Sequence, residues 1–304
     1  MKGLASFVMR GPSQAVMATS VLALLSLILP LLGILSAACV GLVTLRQGAK
    51  HGLGVSLLAT LACGVLIWIS FGNPLPSLGF LIVQWMPILL LGLFLRSSRS
   101  LNLTIESGLV FGLLVIVGQY LFLGDPTSFW QTQLEPLVEE LVQAGVLPQT
   151  DSTEVVQQVA KWMSGMLAAG IFLQLIFSLL MARWWQSLLY NPGGFRAEFH
   201  DFRMHRLFGA LGVPALLILV MVNGEAPSVL GYLALLLLAI LFIQGLAVIH
   251  GVLGKMGAGT VWLVGFYLLL ILVLPQAMMV LATLGLLDIW IDFRSRYTRR
   301  RLSG

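Results

Sequence analysis

Few residues in this sequence can do chemistry, and those few stand in unusual places. Among its 12 Asp and Glu residues, Glu106 is the one well inside an uncharged stretch, one turn into 101–123. Gln84, Gln119, Gln174, Gln244 and Gln276 fall in similarly apolar runs. If those runs cross a bilayer, each polar group sits where it is costly, and must hold a partner, a solute or a proton. Gln276 also follows Pro275, and a proline leaves a carbonyl of the preceding turn without its donor. Glu106, Gln84, Gln119 and Gln276 therefore form the candidate intramembrane polar site. Should Glu106 line a pocket, Gln84 or Gln119 is its expected neighbour; otherwise it reaches an interface beside Arg96 or Arg99. Asp288 and Asp292 stand one helical turn apart with Arg296 a further turn on, the spacing of a salt-bridged helix end.

Catalytic constellations are missing from the sequence. His51, His200, His205 and His250 lie at the ends of apolar runs or in a basic loop. There is no His-Glu-x-x-His, no Gly-x-Ser-x-Gly and no phosphate loop. Cys39 and Cys63, the two cysteines, sit in apolar stretches with neither disulfide nor metal-ligand spacing. The expectation is a protein that is not an enzyme and that uses no cofactor or metal.

The elements that position these residues follow from composition. Hydrophobic residues make up 59% of the chain and charged residues 10%, against about 25% charged in ordinary soluble domains. That balance excludes a soluble enzyme, a nucleic-acid-binding domain, a disordered chain and a disulfide scaffold. It predicts an all-α polytopic membrane bundle. Clear spans are 52–71, 79–95, 101–123, 163–182, 207–223 and 227–249. Residues 11–45 and 256–287 are too long for one crossing, at about 50 and 48 Å for continuous helices. Each has a proline near its middle, Pro30 and Pro275. Folding both runs into short hairpins gives ten spans, and folding only the first gives nine. With ten, the basic residues other than Lys161 fall on one side, 16 of the 17, as the positive-inside rule requires of a cytoplasmic face. Lys2 and Arg10 precede a run much longer than a signal-peptide core of about 7–15 residues, so no cleavage is expected.

This frame divides the chain into a six-span bundle over 1–182, a cytoplasmic basic loop over 183–206, and C-terminal spans with a basic tail over 207–304. Both termini and 183–206 are expected in the cytoplasm of a bacterial inner-membrane protein, and loop 124–161 outside. That loop holds Asp125, Glu135, Glu139, Glu140, Asp151 and Glu154, with Leu134, Leu137, Leu141 and Val142 at helical spacing; it predicts a short amphipathic helix. Asp151 and Glu154 read as the start of a helix running into 163–182. Trp184, Trp185 and Tyr190 are placed at headgroup level, followed by an Asn191-Pro192-Gly193-Gly194 turn. Phe195, Phe199 and Phe202 then share one face, as in a helix lying in the inner-leaflet interface. The Arg294–Arg301 tail is expected against anionic lipid.

Several stretches carry a resemblance. Arg183-Trp184-Trp185-Gln186 through Tyr190-Asn191-Pro192-Gly193-Gly194-Phe195, Gly245-Leu246-Ala247-Val248-Ile249-His250-Gly251, and Leu284-Gly285-Leu286-Leu287-Asp288 with Phe293-Arg294 resemble the YybS-like family of bacterial polytopic membrane proteins. That family is in turn similar to the substrate-binding S components of energy-coupling-factor vitamin transporters. The resemblance implies a six-span S-component-like bundle in 11–182. It also implies small-residue faces, Gly108/Gly112 and Ala37/Gly41, for docking a coupling subunit. The spans over 207–287 depart from a minimal S component. The reading is a transporter-type protein with a small-molecule pocket among the first six spans. Its alternative is a non-transporting membrane accessory or scaffold acting through its loops. The partners expected are the bilayer, anionic lipid at the cytoplasmic face, a small-molecule ligand and a membrane-protein partner, but no nucleic acid.

Overall fold

Pro30 divides the first uncharged run. In the computed structural model, which describes residues 1–221 and 229–295, a short helix α1 (Lys2–Val8) leads into α2 (Pro12–Leu25). The chain turns through 26–30 and returns as α3 (Leu31–Gln47), with Pro30 at its N-cap, where a missing N–H costs nothing. The Ser36 hydroxyl donates to the Thr19 carbonyl at 2.8 Å across the hairpin. The expected break at Pro30 is therefore present.

The chain continues as α4 (Ala49–Phe71), α5 (Pro76–Ser98), α6 (Leu101–Leu123), α7 (Pro126–Gln143) and α8 (Ser152–Tyr190). It ends with α9 (Gly194–His200), α10 (Arg206–Met221), α11 (Val229–Met256), α12 (Thr260–Leu272) and α13 (Leu274–Ile291). No strand occurs among the described residues. Six of these helices, α4, α5, α6, α8, α11 and α13, are long and apolar enough to cross a membrane, and α2, α3, α10 and α12 are shorter apolar helices. The fold is an all-α polytopic bundle, with ten apolar helices among the described residues.

These helices form two compact units, residues 1–108 with 173–202, and 109–172 with the described residues from 203 onward. Each unit is built from two separate segments of the sequence. The chain passes from one unit to the other within α6 and within α8.

In the first unit α3, the second half of α5 and the second half of α8 run parallel. At one end Gly33, Gln84 and Gln174 meet. At the other, Arg96 donates to the carbonyls of Leu45 and Arg46 at 3.1 and 3.0 Å, capping the C-terminus of α3 where a cation is favoured. There the Arg46 guanidinium also lies 4.2 Å from the centre of the Tyr190 ring. Small residues set the spacing: a Cβ on Gly41 would stand 2.9 Å from Ala182 Cβ. Beyond α8, the Asn191–Gly194 turn is held by Ser187, whose hydroxyl donates to Asn191 O at 2.8 Å and accepts from Phe195 N at 3.2 Å. Arg183 and Glu198 form an ion pair that ties α8 to α9. Two expectations change here. Trp185 is fully buried, so protein rather than lipid headgroups surrounds its ring. Phe195, Phe199 and Phe202 do share a face and stack in sequence, but Phe199 and Phe202 are buried, so protein rather than lipid covers that face.

In the second unit α11 and α13 run parallel. A Cβ on Gly245 would collide with the backbone of Leu281, and one on Gly285 with the carbonyl of Leu241. Further along, Lys255 donates to Arg294 O at 2.8 Å. Beyond this crossing Gln244 meets Asp288 and Lys255 meets Arg294, so positions climb together on both helices and the chain must return between them. α12 makes that return, with the reversal at Val273. The second uncharged run is thus two helices. Pro275 sits in the first turn of α13, where it is tolerated. The 124–161 segment holds α7, N-capped by Asp125, which accepts from Thr127 N and Ser128 N at 3.1 and 3.3 Å. α8 starts at Ser152 and runs unbroken through 163–182, as expected.

Candidate functional site

Gln84 lies where α5 is distorted. Pro87 has no N–H, so the carbonyl four residues earlier loses its α-helical donor, and residues Phe80–Trp85 form a π-turn. Such widened turns often mark functional positions. The π-turn brings Gln84 under the Pro30 turn, where its amide donates to Gly33 O at 2.9 Å. Trp85 donates to Ser36 Oγ at 3.1 Å, fixing the turn against α3. Gly33 leaves room for both amides there: a Cβ would lie 2.8 Å from Gln84 Nε2 and 3.2 Å from Gln174 Nε2.

These groups border a cavity of about 260 Å³ lined by Ser26, Leu27, Pro30, Gly33, Gly79, Phe80, Val83, Gln84 and Gln174. Gln84 is only 5% exposed, and its Oε1 has no hydrogen-bond partner among the described residues. A buried amide oxygen left so costs about 1–3 kcal/mol. A second depression of about 330 Å³ lies against Trp68 and Pro74. Its polar groups are already used: Thr60 donates to Ser56 O and Ser77 to Pro74 O, each at 2.8 Å. It offers a ligand little but hydrocarbon, whereas the smaller cavity offers unused amide chemistry.

The four candidate residues do not converge on one site. Gln84 lines the cavity. Glu106 is half-buried near the start of α6 in the same unit. Gln119 belongs to the other unit, where its Nε2 donates to Ser164 O at 3.3 Å and its Oε1 accepts from Trp130 at 3.2 Å. Trp130 donates also to Ser164 Oγ at 3.1 Å, so this triad pins α7 to α6 and α8. Gln276 is exposed in the first turn of α13. Gln174, Ser26 and Gly33 belong to the cavity although the sequence reading left them out of the site. The small-residue faces are occupied internally, Gly41 by Ala182 and Ile88, Gly112 by Leu236.

A second polar cluster lies in the other unit. Asp288, fully buried, accepts from Gln244 Nε2 at 2.8 Å, Arg294 Nη2 at 2.7 Å and Phe293 N at 3.0 Å. Gln244 Oε1 in turn accepts from Met204 N at 3.1 Å. Arg203 donates to Asp292 Oδ2 at 3.0 Å and to the carbonyls of Asp288 and Ile289 at 3.2 and 3.1 Å. Burial pushes the Asp292 carboxyl up, but the Ser295 N–H and hydroxyl with Arg203 and Arg294 outweigh it and hold it below the ordinary carboxylate range. The expected helix-end ion pair is present with other partners. Arg294 pairs with Asp288; Arg296 lies outside the described residues together with the rest of the tail. This cluster satisfies its own groups and reads as a clasp joining 203–204, α11 and α13. No group of three or more His, Cys, Asp or Glu placed to hold a metal occurs among the described residues.

An all-α bundle of this hydropathy, with polar side chains held inside it, is a multi-pass membrane protein. Residues 17–289 match the family model described as "Predicted membrane protein (DUF2232)", and the chain belongs to that family. The description names no activity. No curated protein and no solved structure matches the chain.

Proposed function

We propose that this is a transporter-type protein of the bacterial inner membrane that binds a small molecule in the cavity beneath Pro30. The observation that carries the reading is the buried Gln84, with a partnerless Oε1, in the wall of a cavity it shares with Gln174. Ligand sites combine mostly apolar walls with a few placed polar groups, and this cavity fits that description. The likeness of 11–182 to transporter S components points the same way. The cavity lies at the end of α3 remote from Arg46, by about 20 Å over 13 residues. With the arginines cytoplasmic, the cavity belongs to the outer half of the membrane. Both termini and 183–206 are then cytoplasmic and 124–161 is outside. The basic face meets anionic lipid.

Native mass spectrometry of the purified chain tests this. A non-lipid adduct should be retained by the wild type and lost from Gln84→Leu and from Gln174→Leu at unchanged thermal stability. An adduct that survives both substitutions places the ligand elsewhere. A chain that carries no solute favours the accessory reading, for which the exposed Glu135, Glu139 and Glu140 of α7 offer a surface.

A further inference from the structure

The cavity lining also specifies the charge and polarity of its occupant. None of its nine lining residues is charged. The basic groups Arg46 and Arg96 are engaged at the far end of the same helices, with Tyr190 and the α3 carbonyls. An ion entering the cavity would lose hydration without gaining a counter-charge, a large penalty.

The amide of Gln84 has a fixed orientation. Its Nε2 donates to Gly33 O at 2.9 Å; turned over, two carbonyl oxygens would face each other, since neither can donate. The Oε1 is therefore held as an acceptor. Ser26 spends its hydroxyl proton on Ala23 O at 2.6 Å, so it too has only acceptor capacity to offer. Gln174, half-buried beside Gly33, brings a second amide with both donors and an acceptor. Phe80, Val83, Leu27 and Pro30 supply flat and apolar walls.

We propose that the cavity selects an uncharged solute with an amide-like edge, an N–H donor beside a carbonyl acceptor, and an apolar flank. The carbonyl meets the Gln174 NH₂, the flank lies against Phe80, and the N–H reaches Gln84 Oε1 when that side chain, whose oxygen is closed off in the cavity wall, turns toward the solute. This rests on the cavity being the ligand site and adds the class of ligand.

Benzamide, benzoate and benzamidinium share one shape and carry charges of 0, −1 and +1, so they isolate charge from size. The full chain in lipid nanodiscs is dialysed to equilibrium against each labelled probe, with empty nanodiscs subtracted for partition into lipid. Saturable benzamide binding at least about tenfold tighter than either ion is expected, given the cost of stripping an uncompensated charge. Gln84→Glu should invert the order in favour of benzamidinium. Gln174→Leu should weaken benzamide without favouring either ion. Equal or tighter binding of benzoate or benzamidinium to the wild type overturns the proposal, as does the lack of saturable benzamide binding. If native mass spectrometry finds a solute that depends on Gln84 while an ion outbinds benzamide, the ligand class is wrong and the cavity reading stands. If neither a solute nor any probe is held, both fall.

Discussion

Asp288→Ala is expected to be among the most damaging single substitutions in the second unit. Asp288 is fully buried, and its partner Arg294 has a side chain only 6% exposed. Truncating the carboxylate leaves that guanidinium without the acceptor it holds at 2.7 Å, and frees Gln244 Nε2 and Phe293 N as well. Breaking one side of a buried ion pair costs about 3–5 kcal/mol, which is roughly two to three and a half orders of magnitude in the unfolding equilibrium. The pair as a whole contributes far less, because desolvating both charges offsets most of their attraction. The double variant Asp288→Ala/Arg294→Met should therefore recover much of the loss. Reversible denaturation in mixed micelles, read by tryptophan fluorescence and repeated for both single variants and the double, gives the coupling directly. A loss below about 1 kcal/mol for Asp288→Ala would place the pair in the class of solvent-screened contacts and refute the reasoning. So would a double variant as unstable as the sum of the singles.

Three further outcomes follow from other parts of the molecule. Gly285→Ala puts a methyl against the Leu241 carbonyl and Gly245 N, so it should destabilise by about 1–3 kcal/mol as overpacking, measured by thermal denaturation; an unchanged midpoint would mean α11 and α13 do not cross this closely. Asp292→Asn keeps a residue tolerant of the left-handed φ of 52° and removes the charge facing Arg203. Since the folded carboxyl titrates below its ordinary value of 3.8, the difference in stability between wild type and variant should be flat from neutral pH to about 5. It should shrink only as pH falls below 3.8; a difference lost near pH 6 would contradict this. In a chain with Cys39 and Cys63 replaced by Ser, an impermeant maleimide added from outside should label Glu140→Cys and spare Ala197→Cys, and the reverse pattern would invert the topology.

Both interruptions were legible in the sequence because run length demands them and a proline marks each. An uncharged run of about 50 Å cannot be one crossing of a ~30 Å core, and Pro30 and Pro275 mark where each can turn. Gln84 was legible as a polar group at depth, but its setting was not. The π-turn depends on Pro87 three residues later, and the cavity on Gly33 and Gln174, which are 51 and 90 positions away by number. The clasp was legible as a helix-end ion pair, but its partner Arg294 was not, for a local reason. Helical spacing cannot foresee that Asp292 takes a positive φ and ends α13, which swings Arg294 back onto Asp288. Arg203 and Gln244 come from segments that no periodicity links to α13. Trp185 and the Phe199/Phe202 face show the remaining gap: an amphipathic pattern says that a face is covered, without saying whether protein or lipid covers it.

The central claim, a solute held at Gln84 beneath the Pro30 turn, is tested most directly by electron cryomicroscopy of the full chain purified in native lipid. Compact non-lipid density within hydrogen-bond distance of Gln84 Oε1 and Gln174, lost in the Gln84→Leu variant, is the predicted result. An acyl chain in that space, or side chains closing it with Gln84 Oε1 bonded to protein, would contradict the account.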